Sequence, residues 1–147
     1  MKDKIIITYD EFHNLTINLA NQIRDIDFSY IVAPSRGGLL PGVILSHELK
    51  KEVIPIQWST RDGTKKEHKE GIVQDLKNGK TILLVDDIND SGKSFIGLLE
   101  DWEANQVSGK VITASILQRY STKLPSDYYS KFIDNNKWVY FPWEKQD

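Results

Sequence analysis

The chain has 147 residues, 39% of them hydrophobic and 27% charged, with a formal net charge of −2 at neutral pH. This describes one ordinary globular domain, able to bury about 70% of its unfolded surface, and the lack of a basic excess argues against a general nucleic-acid binder. Cysteine is absent, which excludes disulfides and thiolate metal sites. The only apolar run near the amino terminus is Ile5-Ile6-Ile7, too short for a signal-peptide core, and no run approaches a membrane span, so a cytoplasmic protein is expected.

In chain order, Ile5 to Ile7 predict a short strand closed by Thr8. Thr8-Tyr9-Asp10-Glu11 is a capping box, and Phe12, Leu15, Leu19 and Ile23 fall on one helical face, which predicts a helix from about Tyr9 to Arg24. Tyr30 to Ala33 is a second buried strand, running through Pro34-Ser35-Arg36-Gly37-Gly38-Leu39 into a helix from about Pro41 to Leu49. Val53 to Ser59 is a third strand, and Pro55 points to an edge or an irregular start. Thr60 to Gly71 is a polar stretch with Arg61, Lys65, Lys66, His68 and Lys69, and Asp75 to Gly79 reads as a polar turn.

Thr81 to Val85 is a β-branched-rich apolar run with the character of a strand covered on both faces. A helix follows from about Ser94 to Ala104, then a strand over Val111 to Leu117, a turn-rich connection over Pro125 to Asn136, and an aromatic tail, Trp138 to Glu144. Five strands with helices between them predict an α/β domain with a mainly parallel, twisted sheet. His13, His47 and His68 have no metal-site spacing and read as surface residues.

Two segments carry chemistry. Asp86 and Asp87 leave the central strand, and Asp90-Ser91-Gly92-Lys93-Ser94 leads into the next helix. A loop between the carboxyl end of a strand and a helix turns backbone N–H groups and the positive helix end toward an anion. An acidic pair beside an anion makes sense if the ligand also brings hydroxyls or a divalent cation, as a ribose phosphate with Mg2+ does. The second segment, Ser35 to Gly38, repeats the strand–loop–helix arrangement, with Arg36 as a fixed cation. There is no GxxxxGK[ST] and no GxGxxG, which argues against a P-loop or dinucleotide-binding protein.

VDDINDSGKS resembles the phosphoribosyl-pyrophosphate (PRPP) signature of type I phosphoribosyltransferases, and APSRGGLLPG is similar to the pyrophosphate loop of purine phosphoribosyltransferases. With the Trp-x-x-x-Pro-Trp-acidic tail, the order of motifs is similar to bacterial xanthine–guanine phosphoribosyltransferases over nearly the whole length. The resemblance implies the phosphoribosyltransferase fold in a single domain over 1–147, with a lid at about 59–71 and a base-binding tail at about 119–144. It implies PRPP and a 6-oxopurine as substrates, Mg2+ as cofactor, a homodimer or homotetramer, and a cis peptide between Ser35 and Arg36. By position, Ser35, Arg36, Gly37 and Gly38 would hold pyrophosphate, and Asp86 and Asp87 the ribose hydroxyls and Mg2+, directly or through water. Asp90, Ser91, Gly92, Lys93 and Ser94 would hold the 5′-phosphate. Asp90 would serve as general base and Arg36 would stabilise the leaving group.

Trp138 would stack on the purine, the main chain at Val139 would meet its exocyclic group, and Arg119, or Gln118 if the alignment slips by one, would contact the 6-oxo group. Departures are Arg119 where lysine is usual, Tyr140 where the xanthine–guanine enzymes carry an acid, and Lys93 and Ser94 in the phosphate loop. The alternative is a catalytically weak PRPP- or nucleotide-sensing protein of the same fold.

Overall fold

A computed structural model describes residues 4–58, 70–134 and 136–145. In chain order the elements are β1 (Lys4–Ile6), α1 (Tyr9–Ile23), β2 (Ile31–Ser35), α2 (Leu39–Leu49), β3 (Val53–Gln57), α3 (Glu70–Lys77), β4 (Thr81–Asn89), α4 (Lys93–Glu103), β5 (Lys110–Arg119), β6 (Tyr128–Ile133) and β7 (Trp138–Tyr140). Five strands form one wholly parallel sheet in the order β3-β2-β4-β5-β6. Helices cover both faces, so each strand alternates between two cores. Leu83 and Val85 join Phe12, Leu19, Ile23 and Leu45 from α1 and α2. Ile82 and Leu84 join Ile72 and Leu76 of α3 and Leu98 and Trp102 of α4.

The expected α/β class and parallel sheet are present, with three differences. β1 stays outside the main sheet and pairs in parallel with β7, from Lys4↔Trp138 to Ile6↔Tyr140. The fifth strand of the main sheet is β6, inside the stretch that reads as a turn-rich connection. It is an edge strand bounded by turn-forming residues, and pairing with β5 creates it. Finally, α3 occupies most of the predicted polar turn at Asp75 to Gly79. At eight residues it is too short to be stable alone, and the complete burial of Ile72 and Leu76 holds it. The stretch expected to form a lid, about 59–71, lies outside the described residues through position 69.

The first helix begins as its capping box requires, with Thr8 Oγ1 accepting from Glu11 N at 3.1 Å. His13 and His47 are exposed, and His68 lies outside the described residues. No helix among the described residues is long and apolar enough to cross a membrane.

Candidate active site

β2 and β4 lie side by side in the sheet, with Ile31↔Leu83 and Val32↔Leu84 in register, so the loops at their carboxyl ends are neighbours. They open on a cleft of about 1300 Å³, larger than the roughly 300–1,000 Å³ typical of one drug-sized ligand. Of the residues singled out from sequence, Ser35, Arg36, Gly37, Asp86, Asp87, Asp90 to Ser94, Arg119, Trp138 and Val139 line it.

Gly38 does not line the cleft. Its N–H donates to Pro34 O at 2.9 Å, and a Cβ there would stand 2.6 Å from Val85 O. Its lack of a side chain therefore lets α2 start directly above β4. Gly37 is pressed against the acidic pair, since a Cβ would lie 2.6 Å from Asp87 Oδ1. The peptide joining Ser35 to exposed Arg36 is cis.

The acidic residues do not form a separate loop, because β4 runs on through both of them to Asn89. Asp86 Oδ1 accepts from Asp87 N at 2.9 Å, and Asp87 Oδ1 accepts from Ile88 N at 2.7 Å. Burial pushes the Asp87 carboxyl above the usual carboxylate range; the Asp86 and Ile88 hydrogen bonds oppose that rise, and the Glu144 carboxylate adds to it. Among the described residues no three His, Asp or Glu side chains are grouped to hold a metal. A half-buried carboxylate facing a second acid fits a hard cation completed by ligand oxygens, the manner in which Mg2+ is usually held.

The phosphate-type loop is braced from behind by the β5–β6 connection. Asn89 Nδ2 donates to Leu124 O at 2.7 Å and to Ser126 Oγ at 3.0 Å, Thr122 Oγ1 donates to Asn89 Oδ1 at 2.8 Å, and Lys123 N donates to Ser91 O at 3.0 Å. Gly92 adopts φ +89°, and a Cβ would meet Thr122 Oγ1 at 2.9 Å, so glycine serves both the turn and this brace. Ser91 Oγ accepts from Lys93 N at 3.3 Å at the start of α4.

Strand alternation separates Gln118 from Arg119. Gln118 is buried and its Oε1 accepts from Ser126 N at 2.6 Å, whereas Arg119 reaches the cleft and its Nε stands 2.7 Å from Asp90 Oδ1. On the opposite wall the tail does two jobs. Val139 and Phe141 are buried, and Phe141 stacks on Trp143 at 4.8 Å, while both rings meet Phe12 edge-on. Trp138 remains 54% exposed on the cleft. Tyr140 does not line the cleft; its ring lies 6.4 Å from Trp138, with Lys4 Nζ 5.1 Å from its centroid.

Sequence reasoning missed Tyr9 and Trp58 as cleft residues, while Glu144 lies at the end of the expected base-binding tail. Trp58 follows the carboxyl end of β3, where α/β proteins place ligand contacts, and that position was the available signal. It is 5% exposed, and its Nε1 has no hydrogen-bond partner among the described residues.

Residues 8–146 match the family described as Phosphoribosyl transferase domain. The chain is 30% identical to the xanthine-guanine phosphoribosyltransferase of Gluconobacter oxydans, over 94% of this chain and 83% of that one. It is 26% identical to the protein of the same name from Idiomarina loihiensis, over 96% and 87%. Among solved structures it is similar to the purine phosphoribosyltransferase from Pyrococcus horikoshii, at 28% identity and a TM-score of 0.81, covering 99% of this chain and 97% of that one.

Proposed function

This chain belongs to the phosphoribosyl transferase domain family, and on that premise we propose that it is a Mg2+-dependent purine phosphoribosyltransferase. It transfers the 5-phosphoribosyl group from PRPP to a 6-oxopurine (guanine, hypoxanthine or xanthine) in purine salvage, releasing pyrophosphate and the nucleoside 5′-monophosphate. The observation that carries this reading is the convergence on one cleft of two strand–loop–helix ends, an acidic pair, an Asp–Arg pair and an exposed tryptophan. The named relatives favour an enzyme over a nucleotide sensor.

In this reading the loop from Asp90 to Ser94 and the start of α4 hold the 5′-phosphate. Ser35, Arg36 and Gly37 hold the pyrophosphate, with Gly38 shaping that loop from beneath. Asp86 and Asp87 hold the ribose hydroxyls and the cation, directly or through water. When bound, Mg2+ supplies positive charge to the pyrophosphate oxygens. Trp138 stacks on the base, a contact worth about 1–3 kcal/mol. The purine N9 forms its bond to the anomeric carbon as the bond to pyrophosphate breaks. The electron pair leaves on the pyrophosphate oxygen, facing Arg36, and the displaced ring proton passes to Asp90.

A cation at Arg119 matches a 6-oxo acceptor and not the 6-amino donor of adenine. The same reading has the protein cytoplasmic and assembled as a homodimer or homotetramer, which sedimentation velocity measures. The test of function is an assay with PRPP, Mg2+ and, separately, guanine, hypoxanthine, xanthine and adenine. Nucleoside monophosphate from at least one 6-oxopurine, and none from adenine, is expected. No product with any base overturns the reading.

A further inference from the structure

We propose that Arg119 acts through Asp90: its guanidinium is the positioning group that orients the carboxylate serving as general base. This rests on the reading above and adds to it a coupling between two residues that the reading treats separately.

The pairing is built by sheet register. β4 and β5 run in parallel with Asn89 opposite Gln118, so the next residues, Asp90 just past the end of β4 and Arg119 at the last position of β5, stand side by side. Gln118 turns to the opposite face and is tied to Ser126 N, which fixes the backbone just before Arg119. The result is a contact of 2.7 Å between Nε and Oδ1, at the short end for a charge-assisted hydrogen bond.

Burial within the pair is unequal. The Arg119 side chain is 11% exposed and that of Asp90 60%. The cation is thus the anchored partner, fixed at the end of a central strand, and the carboxylate is the one with freedom to lose. The terminal torsion of an aspartate is broad, and a fork engaged at Nε fixes the direction of both the carboxylate and its own terminal amines. A lysine has a single rotatable ammonium and does not impose that plane. An arginine at this position therefore places a directional donor next to the base. Arg119 keeps its own proton throughout, and the proton leaving the purine goes to Asp90.

The experiment is a double-mutant cycle at saturating PRPP, Mg2+ and 6-oxopurine, with circular dichroism confirming that each protein is folded. Arg119→Met is expected to lower kcat by about 10-fold or more, and Asp90→Asn by about 100-fold, within the range for general-base loss. The Arg119→Met/Asp90→Asn double variant should be no slower than Asp90→Asn alone, since there is then no base left to orient. Arg119→Lys should recover part of kcat, and the KM for PRPP should stay constant across the arginine variants. If Arg119→Met raises only the purine KM and keeps kcat, or if the two losses multiply, the coupling is refuted while the enzyme reading stands. If the wild type forms no nucleotide from any base, reading and coupling fall together.

Discussion

The β2–α2 loop and the β4–α4 loop reach the cleft from adjacent strands, yet they are held by different means. The first is held by exclusion: Gly37 and Gly38 sit where a Cβ would meet Asp87 Oδ1 or Val85 O at 2.6 Å, so the loop lies directly on β4 with nothing between. The second is held by hydrogen bonds from a distant segment, through Asn89, Thr122, Leu124 and Ser126. Steric seating needs only small residues in a short stretch. Bracing needs polar partners that arrive from elsewhere in the chain, and it fails by loosening instead of by collision.

The largest effect is expected at the seated loop. Gly38→Ala has Val85 O, Pro34 Cδ and Pro34 O to push against, at 2.6, 2.9 and 2.9 Å, which are backbone and a closed ring that cannot turn aside, and should cost about 3 kcal/mol or more, measured as a lower denaturant midpoint. Gly37→Ala meets a carboxylate that can turn aside. It should cost only about 1 kcal/mol of stability, yet abolish PRPP binding by displacing Asp87. Equal stability losses would mean that the two glycines are not divided between packing and site. At the braced loop, Asn89→Ala removes three hydrogen bonds of a residue only 3% exposed. A loss of about 2–4 kcal/mol is expected from the stranded buried groups, with a raised KM for PRPP. An unchanged KM would remove the link between brace and phosphate loop.

This difference explains what the sequence made legible. β4, its acidic pair and the loop after it form one contiguous stretch, Ser35 to Gly38 forms another, and their apolar run, glycines and carboxylates mark them without outside information. The brace is invisible in the same stretch, because Thr122, Leu124 and Ser126 sit in a segment whose Pro125, Ser126 and Asp127 read as turns, and β6 becomes a strand only by pairing with β5. α3 fails for a like reason, since the burial of Ile72 and Leu76, not intrinsic propensity, makes it a helix. Asp90 and Arg119 were both recognisable singly. Their contact depends on the β4–β5 register, which no local pattern specifies.

The acidic pair offers a smaller effect of opposite sign. Asp87 is harder to ionise in the folded protein than in the unfolded chain, chiefly through burial and also through Glu144. The folded state therefore binds its proton more tightly, and stability falls as pH rises above the ordinary carboxyl value of 3.8. Asp87→Asn should raise the melting temperature of the ligand-free protein by about 2–5 °C at neutral pH. That gain should vanish in acid, where the wild-type carboxyl is already neutral, and the variant should lose the added stability that Mg2+ with PRPP gives the wild type. A variant less stable at neutral pH would mean that the hydrogen bonds of Asp87 outweigh its burial.

The smallest expected effect tests whether the second loop is also supported from its other side. Trp58 packs under α4, where a Cβ on Gly97 would lie 2.9 Å from its Cζ2, and its buried Nε1 has no partner among the described residues. Trp58→Phe removes an unsatisfied donor, worth about 1–3 kcal/mol, and also some of the apolar surface behind the helix. These terms oppose each other, so the unfolding midpoint should stay within about 1 kcal/mol of wild type, whereas Trp58→Ala, which empties the space, should cost about 3–5 kcal/mol. If phenylalanine is as damaging as alanine, the indole N–H itself supports α4, and the second loop is braced from both sides. If phenylalanine is neutral, only the bulk of the ring matters there, and the polar bracing of that loop comes from the β5–β6 connection.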